Sequence, residues 1–354
     1  MRTTRRTPFA GVVCAALLWA VLPQALATEE PQRDVTFIST SDCHYREAER
    51  RAQNDRNRLT ILEMNEADHR TWPEQLGGGP IQTPRGVLVL GDCIDDGDRV
   101  IRGKHVSPEQ YQAFVADFGL DGTDGFVRYP VFETWGNHDG PPVGRERHGF
   151  SFQAHLKRRN RLREAKGLIS TVSENGLHYS WDWDDVHFVS LGIYPADEQR
   201  EGVRYSAAWH DPQDALTFLK KDLADHVGQS GRPVVLMSHC GVDTDWWLPA
   251  DWKAFYDAGR PYNVVLYLYG HTGTGVRDWA PAGEKRKWLC INDGNTTTGF
   301  FVIQIVGARL RAAYRCKVDI EVVRQPDKTK THAWSGRWGW RFLVDRKVRA
   351  PARK

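Results

Sequence analysis

The sequence predicts an α/β protein: two stacked, mixed β-sheets with helices outside. Three observations predict it. Strand-like and helix-like segments alternate in the first half of the chain, and the C-terminal half is rich in strands. Five short polar clusters each follow an apolar run. Four of these runs, VTFIST, GVLVL, PVVLM and VVLYLY, have the length and composition of buried strands, and the fifth, YPVFETW, is a less regular strand candidate.

The first residues stand apart from this globule. Arg2, Arg5 and Arg6 precede an apolar stretch, Phe9 to Leu22, that is short for a membrane span. Ala25-Leu26-Ala27 offers the small residues of a cleavage site. The pattern predicts a secretory signal peptide over 1–27 and a periplasmic or secreted product, with an uncleaved anchor as the alternative. No later segment is long and apolar enough to cross a membrane.

Asp34–Thr40 is the first expected strand. Residues 46–66 are expected as a helix with Leu59, Ile61, Leu62 and Met64 on its apolar face, and 71–85 as a Gly/Pro-rich loop. Val87–Leu90 is a short buried strand. Ser107-Pro108-Glu109-Gln110 has the order of a helix start, with Ser as cap, Pro first and Gln third. A basic helix over 151–166, carrying Lys157, Arg158, Arg159, Arg161 and Arg163, is expected to present a solvated face. His178–Trp183 and Val186–Leu191 form a hairpin about Asp184-Asp185. A helix over 211–226 precedes strands at Pro233–Met237, Asn263–Tyr269, Trp288–Asn292, Phe300–Ile305 and Leu310–Tyr314. The expected organisation is signal 1–27, one domain 28–316, and a basic, Trp-rich extension 317–354 packed on that domain.

Charge gives no support to one class of partner. The chain has 48 Lys+Arg and 45 Asp+Glu; three of the cations and none of the acids lie in 1–27, so the remainder is balanced. That gives no global case for nucleic-acid binding. Five cysteines follow the signal: Cys43, Cys93, Cys240, Cys290 and Cys316. An odd number in an oxidising compartment leaves at least one unpaired.

The clusters carry the chemistry. They are Asp42-Cys43-His44, Gly91-Asp92-Cys93-Ile94-Asp95, Gly136-Asn137-His138-Asp139, Ser238-His239 and Gly270-His271-Thr272-Gly273. Strand ends in α/β sheets converge on one rim. Asp42 and His44 are one residue apart and can face one ion; Asp92 can bridge two; Asn137, His239 and His271 add neutral donors. Mixed N/O ligation suits one or two divalent transition-metal ions, Mn, Fe or Zn, rather than calcium. His138 is placed to protonate a leaving group, with Asp139 as its hydrogen-bond partner.

The order DxH, GDxxD, GNHD, H, GHxx resembles the calcineurin-like metallophosphoesterase family over residues 36–273. The resemblance implies a four-layer αββα sandwich, a binuclear centre, and hydrolysis of a small phosphorylated substrate by a metal-activated hydroxide. It implies Asp42, His44 and bridging Asp92 at the first metal, and Asn137, His239 and His271 with Asp92 at the second. His138 and Asp139 take the catalytic positions, and Asp95 is a supporting acid. The departure is Gly273, where the family pattern has a second histidine. A histidine from elsewhere (His105, His148 or His332), water or substrate, or an empty first site would each account for it, the last giving a catalytically degenerate binding protein. Arg145 and Arg147, in a rigid loop after Asp139, are candidate substrate-binding residues.

Overall fold

The computed structural model describes residues 33–348 except 199, 201–202, 204–208 and 325–329. The expected signal peptide lies outside the described residues. Among the described residues no helix is long and apolar enough to cross a membrane.

The first half of the chain alternates. Strand β1 (Asp34–Thr40) leads to helix α1 (Ala52–Asn65) and strand β2 (Val87–Val89). A small hairpin, β3 (Val100–Ile101) and β4 (Lys104–His105), precedes α2 (Ser107–Phe118), β5 (Val131–Glu133) and α3 (Phe152–Ala165). The chain then forms β6 (Thr171–Val172), β7 (Tyr179–Trp183) and β8 (Val186–Ser190), the last two paired across the expected turn. Helix α4 (Ala215–Asp222), β9 (Pro233–Met237), α5 (Pro249–Gly259) and β10 (Asn263–Tyr269) continue the alternation. Strands β11 (Thr274–Trp279), β12 (Trp288–Asp293), β13 (Gly299–Val306), β14 (Arg309–Lys317), β15 (Ile320–Arg324), β16 (Lys330–Trp334) and β17 (Trp338–Lys347) complete it.

Two mixed sheets form, of order β17-β14-β13-β1-β2-β5 and β11-β12-β10-β9-β8-β7-β6. Strands β1, β2 and β5 are parallel in the first, and β8, β9, β10 and β12 in the second. Period-two alternation sorts each strand's residues between two cores. Val35, Phe37, Leu88 and Leu90 share a cluster with Val235, Met237, Leu266 and Leu268, so the sheets pack face to face. Phe37 meets Phe188 edge-on at 5.2 Å, and Phe132 stacks on Trp181 at 4.5 Å across that interface. The alternate residues Ile38, Val87, Val89, Val234, Leu236 and Tyr267 lie in a second core with helical residues from α1, α2, α4 and α5. The fold is the mixed α/β sandwich, helices outside two mixed sheets, that the sequence predicts. The central strands β2 and β9 are apolar throughout because both faces are covered.

Several local expectations change. Helix α1 buries Asn57, Thr60, Ile61 and Met64, a face offset from the expected one, while Leu59 and Leu62 are exposed. Asn57 Nδ2 donates to Cys43 O at 2.7 Å and draws that face toward the first cluster. Ser107 and Gln110 do not form a capping box. Ser107 Oγ donates to Asp96 O, and Gln110 Oε1 accepts from Asp96 N–H, so both brace the loop after β2. The basic face of α3 is only partly solvated. Arg159 and Arg163 are buried and both bond the buried Glu133 at the end of β5. Tyr194 and Trp247 are core residues, stacked at 5.6 Å. All five cysteines are free, buried thiols. In the C-terminal region, β17 pairs antiparallel with β14, and Lys317 Nζ lies 5.3 and 5.6 Å from the ring centroids of Trp334 and Trp338.

Candidate metal centre

The five clusters follow β1, β2, β5, β9 and β10, all at the carboxyl ends of parallel strands. Backbone hydrogen bonds lace the loops together: Asp42 N–H to Gly91 O, His44 N–H to Asp92 O, and Gly270 N–H to His239 O, each 2.9 to 3.0 Å. Asp42, His44, Asp92 and His271 all have positive φ, between 46° and 72°. Backbone held in this sparsely populated region clusters at functional sites. Gly136 is required sterically, since a Cβ there would press on Asp92 and His239.

The loops gather the expected ligands. Asp92 stands between two donor sets. Its Oδ1 lies 3.3 Å from His239 Nε2 and its Oδ2 lies 3.8 Å from His44 Nε2. On one side Asp42 Oδ1 is 3.7 Å from His44 Nε2; on the other Asn137 Oδ1 is 3.0 Å from His239 Nε2. The His271 ring meets His239 at 5.1 Å, and its backbone N–H donates to Asp42 Oδ2. His239 Nδ1 bonds Leu90 O at 2.7 Å; a carbonyl only accepts, so Nδ1 carries a proton and Nε2 is the nitrogen that would face an ion in place of its own proton.

Electrostatics agree with a cation site. Burial would lower the His44 imidazole, but its bond to Asp42 and the fields of Asp92, Asp42 and Asp95 raise it to about 9. Burial opposes charge on His239 too, and Asp92 outweighs it, again giving about 9. Burial would raise Asp92, but His239, His44 and His138 hold it well below the usual carboxylate range. His271 is lowered to about 4 by burial and by His239. In the metal-free molecule, then, protons on His44 and His239 supply the positive charge that the carboxylates call for. Donor atoms of Asp42, Asp92 and His239 lie within 4.8 Å of one another, as do those of His239, Cys240 and His271. Mixed carboxylate, imidazole and amide donors at this spacing fit divalent transition-metal ions.

One expectation needs correction. Asp139 does not orient His138. Its Oδ1 accepts from Ile94 N–H at 2.9 Å and its Oδ2 from Gly136 N–H at 2.7 Å, so it fastens the second loop to the third. Burial and the nearby Asp92 raise Asp139 to about 8. Asp95 orients His138 instead. His138 Nδ1 donates to Asp95 O at 2.7 Å, and Asp95 Oδ1 is 3.4 Å from His44 Nδ1. The candidate substrate arginines lie in the loop after Asp139. Arg145 is directed to Asp211 at 3.7 Å, and Arg147 is fixed by its backbone N–H to Asp98 Oδ2. Arg46 and Arg50 reach the centre through Asp95, at 3.1 and 3.5 Å. Their four-residue spacing after Asp42-Cys43-His44 was the available signal, hidden inside the expected helix.

Gly273 has φ +112°, and a Cβ added there meets no heavy atom within 4 Å. His105 and His148 do not fill that space; their rings lie 5.9 Å apart beside Asp98, which accepts His148 N–H. His332 is on β16, and its side chain lies outside the described residues.

Comparison with known proteins completes the picture. The chain resembles GAP50, the anchor in the inner membrane complex of Plasmodium, at 10% identity and TM-score 0.46, covering 80% of this chain and 84% of that one. It resembles TT1561 of Thermus thermophilus at 11% identity and TM-score 0.40, covering 77% and 95%. It also resembles the NAD nucleotidase NadN of Haemophilus influenzae at 10% identity and TM-score 0.37, covering 85% of this chain and 54% of that one. A comparison with curated protein sequences finds no match. The model of the calcineurin-like phosphoesterase family matches residues 35–275, through all five clusters. The chain belongs to the calcineurin-like phosphoesterase family.

Proposed function

We propose that the protein is an exported, metal-dependent phosphoesterase acting on small phosphorylated substrates. The observation that carries this is Asp92, whose two oxygens face His239 and His44, each with a further oxygen donor beside it. Asp42, His44 and Asp92 would hold one ion; Asp92, Asn137, His239 and His271 would hold another. Bound there, Mn, Fe or Zn would neutralise phosphate charge and make water nucleophilic at neutral pH.

The chain's own groups supply the rest. His138 is 38% exposed on its side chain, so its ring reaches solvent while its Nδ1 is spent on Asp95 O. Its Nε2 is therefore the nitrogen that delivers a proton to the departing alcohol. His44 packs edge-on against that ring at 4.6 Å and limits its swing. Asp139 keeps the Gly136–His138 loop seated without touching the reacting atoms. Export rests on the residue 1–27 pattern, and N-terminal sequencing of the secreted protein, expected to begin after Ala27, tests it.

The catalytic test is turnover of para-nitrophenyl phosphate and its bis ester with added Mn²⁺. His138→Ala is expected to retain metal and lose roughly 10²–10⁴-fold in kcat, the usual contribution of a general acid. Unchanged kcat removes His138 from the mechanism. The open space at Gly273 favours a second reading, a binding protein with a degenerate centre. Metal analysis separates the two: near two equivalents fits the enzyme, near zero after supplementation fits the binding protein.

A further inference from the structure

We propose that a cavity beside Gly273 receives the alcohol half of the substrate and selects phosphate esters of neutral, polyhydroxylated alcohols. The inference rests on the phosphoesterase reading above. The cavity holds about 340 Å³, and its walls include Thr244, Tyr269, Thr272, Asn292, Asp243 and Arg277. It adjoins the metal-facing rim. Thr272 follows His271, whose N–H bonds Asp42, and Asn292 Nδ2 fixes Thr272 Oγ1 at 2.9 Å. Gly273, between the lining residues Thr272 and Thr274, places no side chain beside the cavity, and a Cβ there would meet no heavy atom within 4 Å.

The walls identify the ligand class. Arg277 and Asp243 pair at 2.9 Å, so their charges cancel. A leaving group with a second phosphate or a carboxylate would compete with Asp243 for the guanidinium and face its negative charge. A vicinal diol meets no such penalty. One hydroxyl accepts from the guanidinium while its neighbour donates to the carboxylate, and both functions lie side by side here. Thr272 and Thr244 add hydroxyls, Thr244 already anchored to Gly241 O at 3.0 Å. Tyr269, buried and stacked on Tyr267 at 5.5 Å with Arg277 5.9 Å from its ring centroid, backs this wall and fixes the position of Arg277. Few polar groups on an otherwise fixed wall is how small-molecule pockets obtain specificity.

The test uses the Mn²⁺-loaded protein and two esters of primary alcohols, glucose 6-phosphate and n-hexyl phosphate, which differ in hydroxyl content but not in leaving-group class. kcat/KM for glucose 6-phosphate is expected to exceed that for the hexyl ester by about tenfold or more, the size of one or two net hydrogen bonds. Arg277→Gln is expected to bring the ratio toward one. Equal values in the wild type, or a ratio that R277Q leaves unchanged, overturn the proposal. Gly275→Phe is the second variant. Gly275 lines the cavity, and a Cβ added there meets no heavy atom within 4 Å, so a phenyl ring fills the space without a clash at its base. G275F is expected to raise KM for glucose 6-phosphate several-fold more than for methyl phosphate; an equal effect on both overturns the proposal, even where R277Q fails to fold. Saturation-transfer NMR with methyl glucoside reads the pocket without turnover. A signal in the wild type that G275F abolishes is expected, and no signal overturns the proposal. Retained glucoside binding with no hydrolysis of any ester would sink the phosphoesterase reading and leave the pocket standing.

Discussion

Gly273→His places two opposing effects at one position, and the structure sizes both. The backbone at 273 has φ +112°, a region that L side chains rarely adopt, while the added Cβ meets no heavy atom within 4 Å. The cost in the metal-free protein is therefore conformational and not steric, roughly 1–3 kcal/mol. With metal present the sign reverses. An imidazole brought to the side of the centre held by Asp42, His44 and Asp92 adds the donor that the first ion lacks. Each tenfold gain in affinity adds about 1.4 kcal/mol to the saturated protein, so a hundredfold gain cancels most of the strain. Urea unfolding with and without Mn²⁺, beside calorimetric titration of the metal, measures both parts. The expected result is a less stable metal-free variant whose stabilisation by Mn²⁺ exceeds that of the wild type. Unchanged affinity and stoichiometry would refute the assignment of Gly273 to the first metal site. Unchanged metal-free stability would refute the strain argument.

Asp95→Asn removes the carboxylate that faces His44 Nδ1 at 3.4 Å and holds Arg46 and Arg50, and it should weaken metal binding by roughly 10–100-fold, as loss of an outer partner does; titration of Mn²⁺ into the variant checks this. Glu133→Gln strands the buried guanidiniums of Arg159 and Arg163 and should destabilise the fold by roughly 3–5 kcal/mol in urea unfolding, with a loss under 1 kcal/mol marking the triad as dispensable. His178 is fully buried with Nε2 on Gln213 O, and burial, only partly offset by that bond, lowers it to about 4. Because the folded value lies below the ordinary 6.5, the unfolded chain binds the extra proton between those values. Stability is thus full above about pH 6.5 and falls by roughly 3 kcal/mol as pH drops to 4. His178→Asn should flatten the unfolding free energy across that window; a slope equal to that of the wild type would show that His178 does not titrate there.

Periodicity reveals an element when both its neighbours and its burial are regular, which is why most buried strands of both sheets are predictable from sequence to within a residue or two, while β14 runs three residues past its expected end. It cannot reveal which face of a helix is drawn inward by one distant hydrogen bond. Leu59 and Leu62 look like core residues and are exposed, because Asn57 is held at Cys43 O and rotates the helix away from them. The same limit governs the centre. The ligands can be found because each is local to a strand end, and the fold supplies the convergence. The partners that set their orientation are not local. Asp139 is adjacent to His138 in sequence, yet its carboxylate is spent on Ile94 and Gly136, while the carbonyl of Asp95, 43 residues away, fixes the ring. Arg159 and Arg163 resemble any basic helix face until Glu133 is found beneath them. Sequence therefore identifies which groups gather at the strand ends and leaves open which groups orient them. This asymmetry bears on Gly273. A lost ligand is visible in sequence as a departure from pattern, but its consequence depends on the surrounding space. Here that space is open, flanked by two residues of a cavity wall, Thr272 and Thr274, and unfilled by His105 or His148. On the phosphoesterase reading proposed above, the missing donor leaves room beside the substrate's organic half, so a single glycine would bear on both metal retention and substrate choice.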